Sequence, residues 1–102
     1  MAEAINLGDT ASLASAKLGG PGRLDPAQCS LFAIKTLRSA AGETMNLASF
    51  SLEMGSTELG AEDVVVAHVG ADKRTHAIAF FSIEARAAGA PAFTARAVFS
   101  VR

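Results

Sequence analysis

The sequence has no tryptophan and no tyrosine, and its only aromatic residues are six phenylalanines. Nucleic-acid surfaces depend on stacking platforms and on an excess of cationic charge. Here Lys and Arg number 9 against 10 for Asp and Glu, a formal net charge of -1. A nucleic-acid partner is therefore not expected, and apolar ligands suit the residue set better. A single cysteine, Cys29, excludes an internal disulfide and a cysteine-rich metal cluster. The two histidines, His68 and His76, have no cysteine near them and form no helical pair, so neither a metal nor a cofactor is expected. No stretch approaches the roughly 20 apolar residues that span a bilayer, and Met1 to Leu18 has no basic segment ahead of an apolar run. Membrane insertion and secretion are not expected, and the cytoplasm is the expected location.

What is present is enough apolar material for a core. Half of the 102 residues are hydrophobic and 19% are charged, the balance of one folded domain spanning residues 1–102. Ala4 to Leu18 reads as a long, weakly patterned strand, and Gly19-Gly20-Pro21-Gly22 interrupts it as a loop. Asp25 and Pro26 then read as an N-cap and first helical residue, with Gln28 placed to complete a capping box. Ala27, Leu31, Ile34, Leu37 and Ala41 recur at spacings of three and four, and Phe32 and Ala33 widen the stripe. The spacing predicts a helix over 26–41 that buries most of its circumference, stopped by Gly42. Four strands follow. Ala48 to Met54 alternates, Val64 to Val69 is a β-branched run bounded by Gly70-Ala71-Asp72, and the others span His76 to Arg86 and Phe93 to Val101 across a turn at Gly89-Ala90-Pro91.

One apolar helix and a curved antiparallel sheet satisfy each other when the helix lies across the concave face. In that arrangement the chain resembles the hot-dog superfamily, α+β domains in which a five-stranded antiparallel sheet wraps a central helix. Gly20-Pro21-Gly22-Arg23 followed by Pro26 is similar to the Pro-Gly-rich loop before the helix of hydroxyacyl carrier-protein dehydratases. The hairpin from Thr75 to Val101 is similar to the last strands of dehydratases and small thioesterases. The resemblance implies an acyl thioester of coenzyme A or acyl carrier protein as ligand, a possible thioesterase activity, and a homodimer. An edge-to-edge pairing of two sheets would also remove two exposed strand edges.

The resemblance places the thioester carbonyl at the start of the helix, where backbone amides and the positive end of the helix dipole meet developing negative charge. Gly22, Arg23, Gln28 and Ser30 are then the candidate binding residues and Asp25 the candidate catalytic carboxylate. The dehydratase histidine is missing, since its place reads Gly19 or Gly20, and the helix contains no Asp, Glu or His. Family-type dehydration is not expected on that ground, and two other readings remain beside the thioesterase: a non-catalytic binding or assembly subunit, and an unrelated α+β interaction module. The last rests on Phe80-Phe81, adjacent aromatics that put apolar surface on both faces of one strand. Other polar residues have plainer expected roles. Asp9 is a strand or loop carboxylate, and Cys29 a buried, inert thiol. His68 and His76 flank a turn that could bring them together, Lys73-Arg74 stand at its tip, and Glu84, Arg86 and Arg96 are expected to pair across strands.

Overall fold

The computed structural model describes residues 10–19, 22–42, 44–55, 58–60 and 62–101. In chain order they form strand β1 (Thr10–Ala14), a 3-10 turn (Ser15–Leu18), helix α1 (Pro26–Ala41), and strands β2 (Met45–Met54), β3 (Val64–Arg74), β4 (Ile78–Ala87) and β5 (Ala90–Val101). The five strands make one antiparallel sheet in the order β1-β3-β4-β5-β2. The predicted element order and the helix limits are observed. Asp9 and residues 4–9 of the expected first strand lie outside the described residues.

That first strand ends earlier than its pattern implies. Ser15 is buried; its N–H donates to the Asp63 carbonyl at 2.9 Å and its Oγ to the Gly60 carbonyl at 2.6 Å. These bonds satisfy a buried polar residue just where the Ala14–Val64 pairing stops, so the chain turns and drops Leu18 into the core.

The inner face of the sheet is packed by alternating volume. Across β4 and β5, Ala79 faces Phe99, Phe81 faces Ala97, Ile83 faces Ala95 and Ala85 faces Phe93. A large side chain beside an alanine in each row leaves room for the helix to settle. The helix answers with the stripe Cys29, Ala33, Leu37 and Ala41, all buried and all but Leu37 small. Phe32 meets Phe93 edge to face at 6.4 Å, and Phe81 meets Phe99 in the same way at 5.9 Å. The expected wider burial of α1 is not found: Ala27 is exposed and Leu31 is 50% exposed, because the sheet covers one side of the helix only.

Three register shifts, at Leu47/Ser49, Ala71/Lys73 and Ala85/Arg86, bend the strands. The first explains why Leu47 and not Ala48 turns inward. The second carries β3 through Gly70-Ala71-Asp72, which is strand and not the expected turn; the chain reverses at residues 75–77, where Thr75 Oγ1 accepts from the Ala77 and Ile78 amides. The β4–β5 reversal is tighter than the sequence implied. Ala88 and Gly89 both have positive φ, 53° and 76°, so Ala90 and Pro91 already belong to β5.

Candidate functional site

The loop before α1 is held by backbone on both sides. Gly22 and Leu59 form an isolated bridge, with the Gly22 N–H donating to Leu59 O at 2.6 Å and the Leu59 N–H to Gly22 O at 2.8 Å. The Asp25 N–H donates to the Leu18 carbonyl at 2.7 Å. Gly19, at φ 99°, closes the turn against Asp25; a Cβ there would lie 2.7 Å from Asp25 Cβ and 2.8 Å from its nitrogen. The first turn of the helix therefore has a fixed position, although it carries no side-chain cap.

Asp25 occupies the N-cap position, but its side chain makes no capping hydrogen bond. The expected capping box is absent: the Asp25 N–H that Gln28 would have to reach already donates to Leu18, while the Asp25 carbonyl accepts the first helical bond from the Cys29 N–H at 2.9 Å. The carboxylate stays exposed beside a positive helix end whose Ala27 and Gln28 amides have no partner within the helix.

Beside this turn lies a pocket of about 220 Å³ lined by Arg23, Leu24, Pro26, Met54, Gly55 and Ala92. Three elements meet there. Leu24 is buried and anchors the loop, Met54 ends β2, and Ala92 stands near the start of β5. Gly55 permits the crossing: its N–H donates to Ala92 O at 2.9 Å, and a Cβ would lie 2.7 Å from the Pro91 carbonyl oxygen. Of the residues singled out from the sequence, Arg23 lines this pocket. Gly22 is half-buried at its approach, and exposed Asp25 lies between the lining residues Leu24 and Pro26 in the chain. Gln28 sits on the first helical turn and Ser30 at the start of the second, both outside the lining. Met54, Gly55 and Ala92 escape sequence reasoning, although a glycine closing an alternating strand is a signal of close backbone approach.

The remaining polar residues do not assemble into a catalytic group. Cys29 is fully buried, and burial together with the nearby Asp25 charge pushes its thiol up to about 11, away from nucleophilic use. His68 stands opposite Glu84 in mid-strand while His76 lies in the 75–77 turn, so the two histidines are not brought together. Arg74 turns back to the helix: its Nη2 donates to Ala41 O at 3.0 Å and its guanidinium lies 5.8 Å from the Phe81 ring centre. Glu84 and Arg86 approach to 3.7 Å along one strand and not across two. Arg96 has no ion-pair partner among the described residues. No group of three His, Cys, Asp or Glu side chains among the described residues is placed to hold a metal, and no described helix is long and apolar enough to cross a membrane.

A wider depression, about 860 Å³, lies elsewhere, on the sheet face away from the helix, where Glu53, His68, Glu84 and Arg96 line it. The smaller pocket is the better ligand candidate, because its lining is mostly apolar and Pro26, the first residue of α1, forms part of it.

No family model and no curated protein sequence matches the chain. Solved structures do. The Escherichia coli PaaI protein from the phenylacetic acid degradation operon superposes with a TM-score of 0.74 at 13% identity, covering 91% of this chain and 70% of that one. The DHNA-CoA thioesterase of Staphylococcus aureus gives 0.72 at 7% identity, with coverage of 93% and 74%. In the ChsH1-ChsH2 complex from Mycobacterium tuberculosis the matched chain gives 0.69 at 16% identity over 78% of this chain, which spans 62% of that chain's length. With one helix between β1 and β2, the strand order β1-β3-β4-β5-β2, and these superpositions, the protein has the hot-dog fold.

Proposed function

We propose that this protein binds acyl thioesters, of coenzyme A or an acyl carrier protein, at the start of α1, and that Asp25 makes it a thioesterase. The observation that carries the reading is the uncapped first turn of α1 beside an apolar pocket. The thioester carbonyl accepts from the Ala27 and Gln28 amides, whose alignment with the helix dipole favours oxyanion charge. Asp25 takes a proton from water as the water oxygen attacks the carbonyl carbon. The carbon–sulfur bond then breaks, and the thiolate leaves and gains a proton. Gln28 and Ser30 donate to the substrate, Gly22 lets its backbone approach, and Arg23 meets an anionic part of the carrier. A pocket of about 220 Å³, below the range usual for larger ligands, favours a short acyl group.

A homodimer accompanies this reading. The β2 edge is ten residues long, and its inward Leu47, Phe50, Leu52 and Met54 are only half-buried; a second sheet joined there would cover both the edge and these side chains. The similarity to a chain solved in the ChsH1-ChsH2 complex supports association. A single cysteine with no disulfide suits the cytoplasm.

The test is release of free thiol from a panel of short and medium acyl-coenzyme A and acyl carrier protein thioesters. Hydrolysis of short chains is expected, with Asp25→Asn lowering kcat by at least about a hundredfold while binding persists. Absence of release with every substrate retires the enzyme. Binding without release supports the second reading, a non-catalytic acyl-binding subunit, which the lack of any Asp, Glu or His in α1 favours.

A further inference from the structure

Helix α1 buries the stripe Cys29, Ala33, Leu37 and Ala41 and turns another to solvent. At 3.6 residues per turn its opposite side carries Gln28, Leu31, Lys35 and Arg38, all exposed. By fraction, Leu31 is the most exposed large apolar side chain among the described residues. The helix contains no Asp or Glu, so Lys35 and Arg38 have no partner three or four places away and repel each other across one turn. Neither side chain makes an ion pair or hydrogen bond with a described residue, whereas Arg74 and Arg86 each donate to a carbonyl. Exposed Lys17 and Arg23, in the segments that lead into the helix, are equally unpaired among the described residues. These cations reflect segregation and not general basicity, since the whole chain is close to neutral. Residues 10–42 hold Lys17, Arg23, Lys35 and Arg38 against Asp25 alone, while residues 43–72 hold six acids and no Lys or Arg.

We infer that the outer face of α1 docks an acidic protein that carries the acyl group on a phosphopantetheine arm, an inference that rests on the acyl-thioester reading above and selects the carrier protein over coenzyme A. A solvated helix face ordinarily mixes both signs of charge. Cations alone, set around an exposed leucine, have instead the layout of an interface with an apolar centre and a polar rim, and their sign calls for acidic side chains opposite. Distance agrees with this placement. Lys35 and Arg38 lie about 14 and 18 Å along the axis from Pro26, where the pocket begins. A phosphopantetheine arm has about fifteen bonds between the protein oxygen and the acyl carbon, as many as about five residues of extended backbone, and so reaches roughly 17 Å. A carrier seated over Leu31 and Arg38 is therefore within reach of the start of α1. Coenzyme A has the same arm but ends in a nucleotide, which gives the apolar Leu31 no protein surface to meet. An anionic bilayer is disfavoured as well, because α1 buries its apolar stripe against the sheet and turns Leu31, with no second large exposed apolar residue, toward solvent.

The test follows fluorescence anisotropy of a labelled acyl carrier protein without its arm, titrated with the full wild-type chain and with the double variant Lys35→Glu, Arg38→Glu, after circular dichroism confirms an unchanged fold. Butyryl-coenzyme A binding is measured by calorimetry in parallel. The double variant should bind the carrier about tenfold more weakly and butyryl-coenzyme A as well as wild type does; Leu31→Asp should show the same split. No carrier binding by wild type, or equal binding by wild type and the double variant, overturns the inference. An equal loss toward butyryl-coenzyme A also overturns it, since the cations would then serve the coenzyme. Sedimentation with phosphatidylglycerol vesicles gives a lipid surface its own result: wild type held on the vesicles and released by the double change, with no carrier binding, overturns the inference in favour of a membrane. Carrier binding that is intact in wild type and weakened in the double variant, with no butyryl-coenzyme A bound by either, supports the docking face and strikes the acyl pocket, so the two readings fail separately.

Discussion

Ala88 is the one described non-glycine residue with positive φ, at 53°, and it shares the β4–β5 reversal with Gly89. An alanine there carries the steric cost of a left-handed backbone, about 1 kcal/mol, which asparagine tolerates better. Ala88→Asn is expected to raise the thermal midpoint by a few degrees, read by calorimetry. Arg74 has the opposite prospect. It holds the last carbonyl of α1 and stacks on Phe81, so Arg74→Ala should lower unfolding free energy by about 1–2 kcal/mol in a urea titration. Cys29 supplies a pH dependence. Its thiol titrates near 9.0 unfolded and about 11 folded, so between those values the unfolded state holds fewer protons than the native one. Stability is therefore full below about pH 9 and falls as pH rises toward 11, and Cys29→Ala should flatten that limb in denaturation followed against pH. Burial of Cys29 was legible from its residue type; the role of Arg74 was not, since no local pattern ties it to a carbonyl 33 residues away.

Helix α1 is legible as an element because its signals are local: proline at the first helical position, glycine at the stop and apolar spacing between. Which stripe it buries is not local. The sheet's alternation of phenylalanine and alanine accepts Cys29, Ala33, Leu37 and Ala41, the line along which the helix backbone can approach most closely, and leaves Leu31 outside. Enlarging that line, as in Ala33→Leu, should lift the helix and cost about 1–3 kcal/mol in chemical denaturation, whereas Leu31→Ala should change stability little. Gly55 ties β2 to β5 in the same way. Gly55→Ala meets carbonyl oxygens that have no room to move, and is expected to lose both stability and acyl-thioester binding, the latter measured by calorimetric titration.

For the whole molecule, the β2 edge has no strand beside it among the described residues, and light scattering of this 10.4 kDa chain should report at least twice that mass. A mass of one chain at every concentration would remove the β2-edge homodimer. The sequence by itself determined the order of elements, the limits of α1, the antiparallel β content and the candidate loop at Gly22–Pro26, because alternation, helical spacing and turn residues act over a few neighbours. Only the tertiary structure decided that Met54, Gly55 and Ala92 meet that loop, that Asp25 leaves its cap unmade, that His68 and His76 stay apart, and that Phe80 faces outward. Each of these depends on strand register and on bulges. A one-residue shift in pairing exchanges the two faces of a strand, and no short-range pattern records where such a shift occurs.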